Sequence, residues 1–134
     1  MLGYVMVAVG SALGGVARYW LGIAVVRLLG PSFPWGTILI NVLGSFVIGF
    51  FGALTGSQGL IPAPQAVRTL VMVGMCGGFT TFSSFSLQTL ELARGDQWFG
   101  AIANVVLSVV LCLASVTAGH VLATRIALLV PAEP

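Results

Sequence analysis

The chain has 134 residues, of which 58% are hydrophobic and only 6% charged, with a formal net charge of +2 and a mean hydropathy of +1.11. Soluble domains carry about a quarter of their residues as charges, so this composition excludes a soluble globular enzyme and assigns the chain to a lipid bilayer. The charge comes from five Arg and no Lys, set against Glu91, Asp96 and Glu133; without a clustered basic face there is no nucleic-acid footprint.

A hydrocarbon core about 30 Å thick needs about 20 apolar helical residues to cross it. Four stretches reach that length, at about 3–28, 35–56, 66–91 and 98–126. They predict an all-α integral membrane protein, a single four-helix transmembrane domain occupying residues 1–134 with no soluble domain to hold an active site.

The first span, "YVMVAVGSALGGVARYWLGIAVV", follows no Lys or Arg and has an apolar run too long for a secretory signal, so it reads as retained. Gly10 and Gly14 stand at small-xxx-small spacing, which lets a second backbone approach closely. Arg18 lies well inside the span. A guanidinium there is costly unless it faces a cavity, a partner or water, or snorkels to the headgroups. The reading adopted is an aqueous vestibule that attracts anions.

A loop with Pro31 and Pro34 leads to "PWGTILINVLGSFVIGFFGALTG", where Pro34 suits a helix start and Trp35 a membrane interface. Thr37 and Asn41, four residues apart, share a face. The Asn41 amide carries two N–H donors that hydrocarbon cannot satisfy, so it either ties helices together or lines a path. Glycines at 44, 49, 52 and 56 indicate tight packing.

The third span carries "GMCGGFTTFSSFS" at 74–86. Glycine costs about 1 kcal/mol against alanine inside a helix and threonine prefers caps, so Gly74, Gly77, Gly78, Thr80 and Thr81 predict a break near 77–81, with Thr80 or Thr81 capping the second half. Non-helical backbone at membrane depth is tolerated only where protein or a cavity surrounds it. There the first half-helix ends in carbonyls suited to a cation and the second begins with N–H groups that favour an anion. Beyond the break, Phe82 and Phe85 lie on one face with Ser83, Ser84 and Ser86 around them. A phenyl edge is the positive part of its quadrupole and offers weak donors to a small anion; plain packing is the alternative.

In the fourth span Asn104, Ser108, Cys112 and Ser115 form one polar stripe on an otherwise Val/Leu-rich helix, the pattern of a lined path. His120, without Cys or carboxylate companions in the spans, reads as structural. Cys76 and Cys112 both fall inside spans and are poor disulfide candidates. Basic residues normally fix orientation, because basic loops stay cytoplasmic. Here Arg68 and Arg125 fall on one side of the membrane and Arg27 and Arg94 on the other. The balance predicts insertion in both orientations and pairing as an antiparallel dual-topology homodimer.

Taken together, "GGVARY" (14–19), "GTILINVLGSFVIG" (36–49) and "GGFTTFSSFS" (77–86) resemble the hallmark stretches of the Fluc/CrcB fluoride channel family, in the family's order and over essentially the whole chain. The resemblance implies a channel of the inner cell membrane that exports cytoplasmic fluoride passively through two pores of an antiparallel homodimer, with Na+ buried at the two-fold axis. By position, Gly77 and Thr80 correspond to the backbone-carbonyl ligands of that sodium, two from each copy. Phe82 and Phe85 correspond to the pore phenylalanines, Asn41 to the pore amide with Thr37 one turn away, Arg18 to the vestibule arginine and Ser108 to a hydroxyl of the fourth-helix polar track. Cys112 and Asn104 depart from the hydroxyl character expected along that track. A small proton-coupled dual-topology transporter needs an ionisable carboxylate in the membrane, whereas Glu91 and Asp96 sit at the third loop. A scaffold subunit explains the glycines but not the Asn41, Ser108, Phe82 and Phe85 constellation, and no nucleophile–base pair or metal-ligand cluster suggests an enzyme.

Overall fold

In hydrocarbon every backbone N–H and C=O must find its partner within the protein, which drives apolar runs of this length into helices. The computed structural model describes residues 1–129. Helix α1 spans Leu2–Leu29 and stops where Gly30 adopts a φ of 80°, its N–H donating to the Val26 carbonyl at 2.9 Å just ahead of Pro31. Helix α2, Trp35–Leu54, opens after Pro34. The next stretch is composite: α3 is Gln65–Arg68, Thr69–Cys76 winds as a π-helix, and α4 is the short Gly77–Phe79. Thr80 (ψ 158°) and Thr81 (φ −150°) are extended, and α5 resumes at Phe82–Arg94. A turn with Asp96 at a φ of 58° leads to α6, Trp98–Leu129.

Taking Gln65–Arg94 as one stretch, four helices among the described residues are long and apolar enough to cross a membrane. The chain is an all-helical membrane protein. Its packing is led by backbone proximity. Helix α1 lies against the π-helical stretch and α4, α2 runs along α6, and α5 leans on α6. A Cβ on Gly10 would stand 2.7 Å from the Gly74 Cα, and one on Gly78 would stand 2.8 Å from the Ser11 Cα, so α1 and the third crossing touch backbone to backbone. Hydrogen bonds from i to i+5 widen the turn, which keeps Gly74 and Gly78, four apart, on the same side facing α1. Gly119 does the same for α6, where a Cβ would reach within 2.9 Å of the Phe50 nitrogen.

The buried apolar set is small, with Val25, Ile38, Ile40 and Ala123 among it, while long apolar side chains such as Leu13, Val16, Val109 and Leu113 point outward. Lipid tails are as apolar as leucine, so outward apolar surface carries no penalty and small residues make the helix contacts. Arg68 closes one end of the bundle: its guanidinium donates to the Thr55 Oγ1 at 2.8 Å and the Gly52 carbonyl at 3.3 Å, a cation at the negative end of α2.

Candidate functional site

The site is built around Thr80 and Thr81. Extended backbone strips Thr81 of its helical partner, and Asn41 replaces it: the Thr81 N–H donates to Asn41 Oδ1 at 2.7 Å, while Asn41 Nδ2 donates to the Thr81 carbonyl at 3.1 Å. In an unbroken α-helix that N–H would bond the Gly77 carbonyl, which is thereby released. Gly77 itself is exposed, and nothing lies within 4 Å of where its Cβ would be. Of the two threonines, Thr81 caps α5, its Oγ1 accepting the Ser84 N–H at 3.1 Å. The same oxygen donates to Ser84 Oγ at 2.9 Å and stands 3.3 Å from Ser83 Oγ. Thr80 turns back instead, its hydroxyl donating to the Cys76 carbonyl at 2.9 Å.

Two grooves meet at Thr81. The first, about 460 Å³, opens between α2, the π-helical stretch, α5 and α6, and brings together Asn41, Gly77, Thr80, Phe82, Phe85, Ser108 and Cys112. The Phe82 and Phe85 ring centroids are 5.2 Å apart with planes inclined at 49°, so the two rings are tilted against each other, neither stacked nor perpendicular. Phe85 is buried, but Phe82 is 78% exposed and turns its ring to the open side. Ser45 and Met72 also line this groove. Ser45 lies one turn beyond Asn41, so helical spacing alone could have found it.

The second groove, about 1050 Å³, runs between α1, α2 and α5 and is lined by Arg18, Thr37, Ser83 and Ser84, with Arg27 and Gln88. Sequence reasoning used Arg27 only as a topology charge and passed over Gln88. Among the described residues, no carboxylate lines either groove. Their polar lining is amide, hydroxyl and guanidinium, a set that can donate to an anion without a negative charge to repel it.

The α6 stripe does not run as one track. Ser108 and Cys112 face the first groove, whereas Ser115 donates to the Val42 carbonyl at 2.8 Å and ties α6 to α2. Asn104 is fully buried and lines neither groove. Its Nδ2 donates to Thr89 Oγ1 at 2.8 Å, and its Oδ1 accepts the Ser108 hydroxyl at 3.4 Å. Thr89 in turn donates to the Phe85 carbonyl at 2.7 Å.

The family model described as CrcB-like protein, Camphor Resistance (CrcB), matches residues 5–120. The chain belongs to the CrcB family. Among its relatives, a protein of Methylocella silvestris is 55% identical over 123 residues, covering 92% of this CrcB chain and 94% of its own. One of Paramagnetospirillum magneticum is 55% identical over 126 residues, covering 94% and 98%. A third, of Rhodospirillum rubrum, is 57% identical over 118 residues, covering 88% and 92%. Each of these three carries the name Fluoride-specific ion channel FluC. The match to the CrcB model spans α1 through most of α6 and so takes in both grooves and the Thr80–Thr81 pair.

Proposed function

We propose that this CrcB chain is a fluoride-selective channel that exports cytoplasmic fluoride passively across the inner cell membrane and so relieves fluoride toxicity. The observation that carries the reading is the 55–57% identity, over nearly the full chain, to proteins named as fluoride-specific channels. The groove chemistry supports it. Fluoride is small and strongly hydrated, so a pore must replace its water at close range with donors that hold it weakly enough to release it. The first groove offers the second Asn41 N–H, the Ser108 hydroxyl and the edges of Phe82 and Phe85, and Arg18 in the second raises the local anion concentration at the mouth. Fluoride efflux from liposomes, with chloride as the control ion, tests it.

The functional unit in this reading is an antiparallel homodimer with two pores, in which the third crossing is broken at membrane depth into two half-helices. The balanced arginines support both insertions, and the outward-facing Phe82 and Gly77 are surfaces that a second copy would cover. Topology reporters fused to the C-terminus should give signal from both sides of the membrane; signal from one side alone would remove the antiparallel pairing.

A sodium ion fits the Gly77 and Thr80 carbonyls. Withdrawal of the Thr81 N–H to Asn41 leaves the Gly77 carbonyl free, and the bare Gly77 allows close approach. Hard cations prefer such oxygen ligands. Bound there, with two carbonyls from each copy, the ion would supply positive charge against converging carbonyl dipoles and hold the copies together. Proton-coupled transport is disfavoured because Glu91 lines a separate pocket beside Pro31–Pro34, away from both grooves.

A further inference from the structure

We propose that Asn104 is a positioning residue that fixes Phe85 and Ser108 relative to each other from behind the ion path, rather than a donor in the path. The inference rests on the reading of Phe85 and Ser108 as groove residues that meet the anion.

The hydrogen-bond directions are determined by the chemistry of the groups. A threonine hydroxyl has one proton, and Thr89 gives it to the Phe85 carbonyl at 2.7 Å. Its oxygen is then an acceptor, and it receives the Asn104 N–H at 2.8 Å. The amide of Asn104 is thereby oriented with Oδ1 toward Ser108, one turn further along α6, whose hydroxyl it accepts at 3.4 Å. One fully buried amide thus joins the turn of α5 that carries the Phe85 ring to the hydroxyl of Ser108 on α6. Asn104 lines neither groove, and its hydrogen bonds run to these two sides, so in this proposal it acts on the ion through them.

The links on the two sides of the amide differ in consequence. Those through Thr89 are short, and the Asn104 amide left unsatisfied at full burial is costly, so they hold α5 and α6 in one relative position. The bond from Ser108 is long for O–H···O and therefore weak. The Ser108 hydroxyl can leave Asn104 Oδ1 to donate to a passing anion, and the cost of leaving that buried oxygen without a donor draws it back when the anion has moved on. Asn104 serves as the resting acceptor for a proton that the path uses intermittently.

The test is a double-mutant cycle read by fluoride efflux from liposomes, using Asn104→Leu, Thr89→Val, the two combined, and Thr89→Ser as the conservative control. Residues that act as one unit are non-additive. Each single substitution should slow efflux about tenfold, the double should be no slower than the slower single, and Thr89→Ser should stay within about twofold of the parent. Thr89→Val removes one hydroxyl with almost no change of volume, so it carries the test alone if Asn104→Leu does not assemble. Multiplying effects in the double, or a Thr89→Val chain with parental efflux, would overturn the relay while leaving the channel intact. A Thr89→Ser chain as slow as Thr89→Val would also overturn it, because the hydroxyl would then not be what matters. A parent chain that does not conduct fluoride overturns the channel reading and the relay with it.

Discussion

Replacing Asn41 by Asp abolishes fluoride efflux. The substitution changes one atom of the side chain and leaves the acceptor for the Thr81 N–H, now 2.7 Å away, in place. The other oxygen, however, would face the Thr81 carbonyl at the 3.1 Å now spanned by an N–H donor, and two acceptors repel there. The new charge also stands in the lining of the first groove, which among the described residues holds no other carboxylate. Two unit charges about 4 Å apart at an effective dielectric of about 20 interact by about 4 kcal/mol. At about 1.4 kcal/mol per factor of ten, anion occupancy falls roughly a thousandfold. Efflux indistinguishable from empty liposomes is the expected result, from protein that elutes at the parent's size. Retained flux would take Asn41 out of the ion path and leave it only the backbone clasp on Thr81.

The second large effect concerns the rings. Phe82→Ile and Phe85→Ile each keep an apolar side chain but remove the positive ring edge, and both residues line the first groove. Ring contacts of this kind are worth about 1 kcal/mol, so each variant should conduct roughly five- to tenfold more slowly, again without loss of assembly. The pair is informative because the two rings sit in different surroundings: Phe85 is 9% exposed and Phe82 is 78% exposed. If packing were the role of both, Phe85→Ile would lower the stability of the fold, Phe82→Ile would weaken the contact with the second copy, and neither would change the rate per assembled channel. Parental rates in both variants would return the rings to packing.

The long helices were legible because span length is dictated by the thickness of hydrocarbon, and few charges, Arg18 among them, interrupt the apolar runs. The contact of α1 with the third crossing was half legible. Gly10 announced a close approach, but its partner Gly74 lies in a π-helical stretch, and a shift of hydrogen-bond register leaves the apolar pattern of Thr69–Cys76 unchanged. Low helix propensity marked the 77–81 interval, yet Gly77 and Gly78 remain helical, held by the contact of Gly78 with the Ser11 backbone, and the extended residues are Thr80 and Thr81.

Within the candidate site, helical spacing puts Thr37 one turn from Asn41 and Asn104 one turn from Ser108. It could not say which groove each residue meets. Thr37 borders the second groove and Asn41 the first, because the turn between them passes the point where Thr81 separates the two. The direction of Asn104 depended on Thr89, a residue on another helix whose partner no local pattern reveals. Arg27 was hidden by its place near a span end, where an arginine reads as an anchor; that it lines the same groove as Arg18 is a tertiary fact.

The most direct measurement is ion release from liposomes loaded with equal fluoride and chloride, with a potassium ionophore to carry the compensating charge and ion-selective electrodes outside. The account predicts rapid downhill fluoride release with no proton gradient applied, while chloride stays inside until detergent is added. No fluoride release, release that requires a proton gradient, or equal loss of both halides would contradict it.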